Sequence, residues 1–319
     1  MKTGPRLYFG LVVALGLVCA RAQESPAERE LIQDNHFRRG FILWETRPGK
    51  HLRYGELSGL EPKAKPIWGL SQWSSKLPLA NAGPVKNPGG VLVYSNSAKA
   101  ITLGPPDTAK ADFSMAVNAG VEYGTRARQA GEPWVHLLVE QAFDPPPALR
   151  ELSRVKLHIE ARLLRSRRLP AEGYSPHLHA AQFQIFFTVQ NRNRRSRGYG
   201  DLVWFGVPIY DDRSPFSREH KAQDTGGTGK FIFSPGGETF SSASLHDGQW
   251  VVIEKDLLPL MREALETAWA RGFLPDSKRL ADYHISGMNM GWELPGIFDV
   301  EMQVRNLSLK IARDTGSPK

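Results

Sequence analysis

The sequence predicts an all-β jelly-roll sandwich with one substantial added helix. Several stretches alternate apolar and polar residues with a period of two, clusters of Gly and Pro separate them, and only one segment, about 257–271, has helical spacing. The 319 residues are 41% apolar and 10% aromatic, enough to bury a real core and too apolar for a disordered chain. The 23 Pro and 30 Gly follow no period, which excludes a collagen-like chain.

Residues 1–22 read as a secretory signal. Lys2 and Arg6 precede an apolar run from Leu7 to Ala20, and Ala20-Arg21-Ala22 places small residues where signal peptidase reads them. Removing Lys2, Arg6 and Arg21 lowers the formal charge from +8 to +5. The single cysteine, Cys19, leaves with the signal, which excludes disulfide scaffolds, thiol enzymes and Cys-ligated metals. The expected protein is secreted or periplasmic, of bacterial type, with one domain over 23–319. No later stretch reaches the ~18 apolar residues of a membrane helix.

Short strands are expected near 41–44, 91–94, 98–103, 113–117 and 135–139. Val155, Leu157, Ile159, Ala161 and Leu163 then alternate with Lys156, His158, Glu160 and Arg162. Phe183, Ile185, Phe187 and Val189 alternate with Gln182, Gln184, Thr188 and Gln190. Further strands fall near 202–207, 230–233 and 249–254. The last long strand begins Val300-Met302-Val304, and its apolar phase slips at Asn306 to Leu307-Leu309-Ile311, which predicts a bulge. Between them, Asp256 and Pro259 start the helix, and Leu257, Met261, Ala264, Leu265 and Ala268 form its apolar stripe.

Charge is concentrated. Eleven basic residues lie between Arg150 and Arg197 against Glu151, Glu160 and Glu172, with tight runs at 162–168 and 192–197. These fit solvated hairpin ends or an anion-facing rim. No nucleic-acid motif accompanies them, so nucleic acid is not an expected partner. Nucleophile-elbow, P-loop, dinucleotide and zinc-protease signatures are absent. His177-Leu178-His179 is a His-x-His pair, but an extended chain points the two rings to opposite faces, so a loop-edge hydrogen-bonding role is favoured and no metal is assigned.

Two features carry functional expectations. Gln182, Gln184, Phe186, Thr188 and Gln190 share one strand face, where amides suit sugar hydroxyls and Phe186, with Trp204 beside it, suits the apolar side of a pyranose. The same pattern fits an ordinary solvated face. Second, the segment 199–229 brings Tyr210, Asp211, His220 and Asp224 into a strand and a long polar loop. Asp211, Asp224 and Glu293 are candidate acids for cleaving a glycosidic bond, which needs two carboxyl groups roughly 5–9.5 Å apart.

Three stretches resemble exported jelly-roll proteins of the galactose-binding-like type, which includes many carbohydrate-binding modules: Asn35–Trp44, Gly248–Ile253 and Asp299–Leu309. The resemblance implies a glycan-binding sandwich. It also implies a structural calcium site, which Asn306 in place of that family's usual Asp disfavours. The expected function is binding of a polysaccharide or glycoconjugate, neutral or anionic, through Gln182, Gln184, Phe186 and Trp204, with Tyr210, Asp211, His220 and Trp292 from loops. A glycoside hydrolase or polysaccharide lyase using the same cleft is one alternative, the lyase with His179 and Tyr210 as base and acid. A structural envelope protein without a glycan site is the other.

Overall fold

The computed structural model describes Met1 and residues 28–80, 83–87, 89–104 and 112–314. Almost all of the expected signal lies outside these residues. In chain order the strands are β1 (Arg29–Glu30), β2 (Gly40–Trp44), β3 (Arg53–Ser58), β4 (Trp68–Ser71), β5 (Val85–Asn87), β6 (Val91–Ser95), β7 (Lys99–Leu103) and β8 (Phe113–Asn118). A short helix, α1 (Ala119–Tyr123), leads to β9 (Val135–Ala142), β10 (Leu152–Arg168), β11 (Gln182–Asn191), β12 (Leu202–Asp211), β13 (His220–Gln223), β14 (Phe231–Ser234) and β15 (Val251–Asp256). Then come α2 (Leu258–Ala270), β16 (Tyr283–Leu294) and β17 (Phe298–Arg313).

The strands form two sheets. One runs β15-β10-β17-β8-β7-β6-β5, with β1 also on β17; the other runs β13-β14-β12-β11-β16-β9-β4-β2-β3. Together they make the predicted jelly-roll sandwich. The alternation explains the packing. Val155, Leu157, Ile159 and Ala161 from β10 and Phe183, Ile185, Phe187 and Val189 from β11 are all fully buried in the shared core. Their polar neighbours face outward. Every such Phe removes apolar surface worth ~1.5–3 kcal/mol from water.

The predicted slip in β17 is a bulge. Glu160 pairs with Arg305 but His158 pairs with Ser308, and Asn306 takes a left-handed φ of 54°. Its backbone N–H donates to Asp112 Oδ2 (2.8 Å) and its amide to Glu160 Oε1 (2.7 Å). Helix α2 buries Leu258, Met261, Ala264, Leu265 and Ala268 against β10 of one sheet and β12 of the other, so it closes one side of the sandwich rather than lying on one sheet. Asp256 Oδ1 accepts from Leu258 N (3.1 Å) and Val155 N (3.0 Å), tying the helix start to β10.

Candidate functional site

The outer face of the β11 sheet forms an open cleft of about 1870 Å³. That exceeds the 300–1,000 Å³ typical of small-molecule pockets and suits a polymer segment. Gln182, Gln184, Phe186, Thr188 and Gln190 lie along its floor because their alternating neighbours are the core residues just described.

Strand register places the floor in rows. Asp211, Gln182, Glu293 and His136 stand side by side on β12, β11, β16 and β9. Farther along, Gly206, Phe186, Asn289, Glu140 and Gly69 make a second row on β12, β11, β16, β9 and β4. Four residues separate the rows, about 13 Å along a strand. Small residues between them, Gly291 and Pro208 beside Gln184, keep the floor low. Trp44, Trp73, Trp134 and Trp204 supply aromatic walls. Trp44 Nε1, Trp73 Nε1, Ser286 Oγ and Asn289 Oδ1 are buried without a hydrogen-bond partner among the described residues. Such groups suit sugar hydroxyls.

The loop after β13 crosses above this floor. Thr228 Oγ1 accepts from Trp204 Nε1 (3.0 Å), while a Cβ on Gly226 would sit 3.4 Å from the Trp134 ring. Trp204 is on β12 and Trp134 just precedes β9, three strands away in the sheet. Asp224 organises the loop: its Oδ2 accepts from Thr228 N (2.6 Å) and Oγ1 (2.8 Å), and its carbonyl accepts from Gly229 N (2.8 Å). A side chain at Gly227 would place Cβ 2.8 Å from that same Oδ2.

Electrostatics single out Glu293. Burial pushes its carboxyl up to about 7, the Asp224 charge pushes the same way, and the Trp134 indole N–H opposes both. Burial likewise takes His136 down to about 4, so its ring is neutral near pH 7. His136 Nδ1 lies 2.9 Å from the Trp134 carbonyl, which accepts its proton and leaves Nε2 facing Glu293 at 3.9 Å. Asp211 behaves oppositely. Burial alone would raise it, but the Arg213 fork (2.8 and 2.6 Å) and the Gln182 amide (2.9 Å) hold it below the usual range. Glu140 is paired with His51 at 2.8 Å, and that bond raises the His51 pKa.

Of the sequence-predicted residues, Gln182, Gln184, Phe186, Trp204, Asp211, His220, Asp224 and Glu293 line the cleft. Three do not. Trp292 is fully buried, packs on Phe183 and Tyr210, and donates its indole N–H to Met115 O at 3.0 Å. It precedes Glu293 by one residue, so strand alternation turns it into the core. Tyr210 is 5% exposed and stacks on His246. His179 is fully buried; its Nδ1 accepts from Ser175 N (2.8 Å) and its Nε2 lies 2.6 Å from Arg128 O. The lyase assignment of base and acid therefore fails, because neither ring reaches the cleft. His177 lines the cleft while His179 is in the interior, so the pair is split between environments.

The 162–168 arginine run is also misplaced as a cleft rim. It lies on β10 in the opposite sheet, where Arg165 pairs with Asp299 and Glu301 and Arg167 with Asp299. Residues unforeseen from sequence are Trp44, Trp73, Trp134, His136 and Glu140. For His136 and Glu140 the available signal was their shared parity along β9.

No family model matches the chain, and no curated protein does. The galactose-binding-like resemblance at the chain ends thus gains no support. Among solved structures, the chain is similar to endoglucanase Cel12A from Rhodothermus marinus, at 10% identity over 74% of this chain and 98% of that one, TM-score 0.39. It is similar to a family 12 xyloglucanase from Bacillus licheniformis at 8% identity over 76% and 99%, TM-score 0.41. A family 11 xylanase from Neocallimastix patriciarum matches at 9% identity over 73% and 96%, TM-score 0.35. Fold and chemistry here stand on this chain's own sheets and cleft.

Proposed function

We propose that this is an exported carbohydrate-active protein whose cleft holds a segment of polysaccharide, and that it hydrolyses a glycosidic bond there. One observation carries the reading: Glu293 lies on an open floor of amides and aromatic rings, and Asp224 of the crossing loop lines the same cleft, with its charge acting on Glu293. Hydrolysis needs one carboxyl able to donate a proton near neutral pH and a second that stays ionised. Glu293 meets the first need. Asp224 supplies the second carboxyl: its Oδ2 accepts from Thr228 N and Oγ1, and its Oδ1 accepts neither bond.

In this reading Glu293 protonates the leaving oxygen, and Asp224 acts as nucleophile or as base toward water. Gln182, Gln184, Phe186 and Trp204 hold the sugars. Asp211, locked by Arg213, orients Gln182 rather than reacting. The test is release of reducing ends from a panel of soluble polysaccharides by wild type, Glu293→Gln and Asp224→Asn. Activity in wild type that persists in either variant removes the assignment. A cleft that binds without cutting needs only the floor; it is recognised by glycan binding in all three proteins with no reducing ends from any. A purely structural envelope role leaves the cleft unexplained.

A further inference from the structure

The second arginine run lies on the turn between β11 and β12, at the end of the cleft remote from Glu293. Arg192, Arg194, Arg195 and Arg197 are all exposed there. The 276–282 segment packs against this turn. Arg192 N donates to Asp282 O (2.7 Å), Asn193 Nδ2 donates to Asp282 Oδ1 (3.0 Å), and a Cβ on Gly198 would lie 3.2 Å from Asp276 Cβ. That segment adds exposed Lys278 and Arg279, making six cations on one promontory.

Little neutralises them. Asp276 approaches Arg197 Nε at 3.8 Å, and Asp282 is buried and bonded to Asn193 and Ser277. The side chains of Arg194, Arg195, Lys278 and Arg279 make no ion pair among the described residues. The backbone beneath is rigid: buried Asn191 accepts from Asn193 N (3.0 Å) and donates to Ser196 Oγ (2.9 Å), and Asn193 Oδ1 accepts from Arg195 N (3.0 Å). Holding six cations together on a fixed turn costs stability through repulsion, unlike the paired run on β10.

We propose that this promontory is a docking surface for an acidic polysaccharide, separate from the cleft floor. Guanidinium forks match carboxylate and sulfate groups. Two observations favour a glycan. Arg192 itself lines the cleft, so the surface continues from the glycan floor. Tyr199, 44% exposed with the Arg192 guanidinium 5.8 Å from its ring centre, offers an aromatic face beside the charges. The floor has the opposite character: six carboxyl groups against three arginines among its lining residues. An acidic chain is therefore attracted to the turn rather than to the floor, where Asp211 is already paired with Arg213 and Glu140 with His51. Its continuity with the cleft rests on the glycan reading of the floor, and it requires no hydrolysis there.

The full chain is titrated against end-labelled heparin oligosaccharide (sulfate) and oligogalacturonate (carboxylate), with duplex DNA as competitor, at two salt concentrations. Binding to at least one acidic glycan that weakens with salt is expected. The variant R194Q/R195Q/K278Q/R279Q should bind about ten-fold more weakly. The variant R165Q/R167Q, on the opposite sheet, should bind as wild type. Thermal melts confirm that both variants fold. No binding to either glycan, equal binding by the quadruple variant, or equal loss in R165Q/R167Q overturns the proposal. So does duplex DNA binding more tightly than both glycans with the same dependence on the four cations.

Discussion

Replacing Glu293 by Gln tests the site through stability as well as activity. Glu293 is raised in the folded chain from an ordinary 4.5 to about 7. A carboxyl raised on folding contributes stability that is fully present below 4.5 and lost as pH rises through 7. At 1.36 kcal/mol per pH unit, the loss amounts to about 3 kcal/mol. Gln keeps the shape and has no proton to lose. Glu293→Gln should therefore match wild type near pH 4.5 and exceed it by up to about 3 kcal/mol above pH 7, or about 6 °C in Tm for a chain this large. His136 works in the other direction: lowered from 6.5 to about 4, its contribution is present above 6.5 and lost as pH falls through 4. The two slopes oppose each other between pH 4.5 and 6.5 in wild type, and the variant exposes the His136 slope alone. Calorimetric melts from pH 4.5 to 8 read this directly. The same substitution should lower kcat by about 10²–10⁴-fold, the usual contribution of a general acid. An unchanged Tm difference between wild type and variant across that pH range refutes the burial and charge argument for Glu293.

Other outcomes follow from the packing. Gln184→Ala combined with Trp204→Ala should abolish glycan-array binding while circular dichroism stays native, since both side chains lie on the outer face. Thr228→Val removes the Trp204 bond and the hydroxyl bond to Asp224 in the crossing loop, and glycan affinity by calorimetry should fall about ten-fold with little change in Tm. Lys99 and Glu122 form a fully buried ion pair with Ser75 next to the Trp73–Ser74 wall, so Glu122→Ala leaves an unpaired buried ammonium and should cost about 3–5 kcal/mol in urea unfolding. His179→Ala breaks two buried hydrogen bonds and should lower Tm while leaving kcat on any substrate within about two-fold.

Much of the sandwich was readable from the chain because alternation is a local property. Gln182 and Phe183 cannot share a face, and burial of the Phe series settles which side is wet. The β17 bulge was legible for the same reason, as a change of phase at Asn306. The parity rule also separates Trp292 from Glu293, sending the indole into the core and the carboxyl to the cleft. Tyr210 misled because the register of β11 and β12 shifts between Phe183 and Gln184, which changes the outward parity at that end.

By itself, then, the order of residues determined the long alternating strands β10, β11 and β17, the helix and the wet face of β11, each set by neighbours within a few positions, whereas β16, which carries Glu293, was not expected. Only the tertiary structure decided that His136 and Glu293, 157 positions apart, stand in one row with Gln182, and that Asp224 lines the same cleft. Strand order depends on which hydrophobic faces meet across the whole chain, and no short window of sequence contains that information.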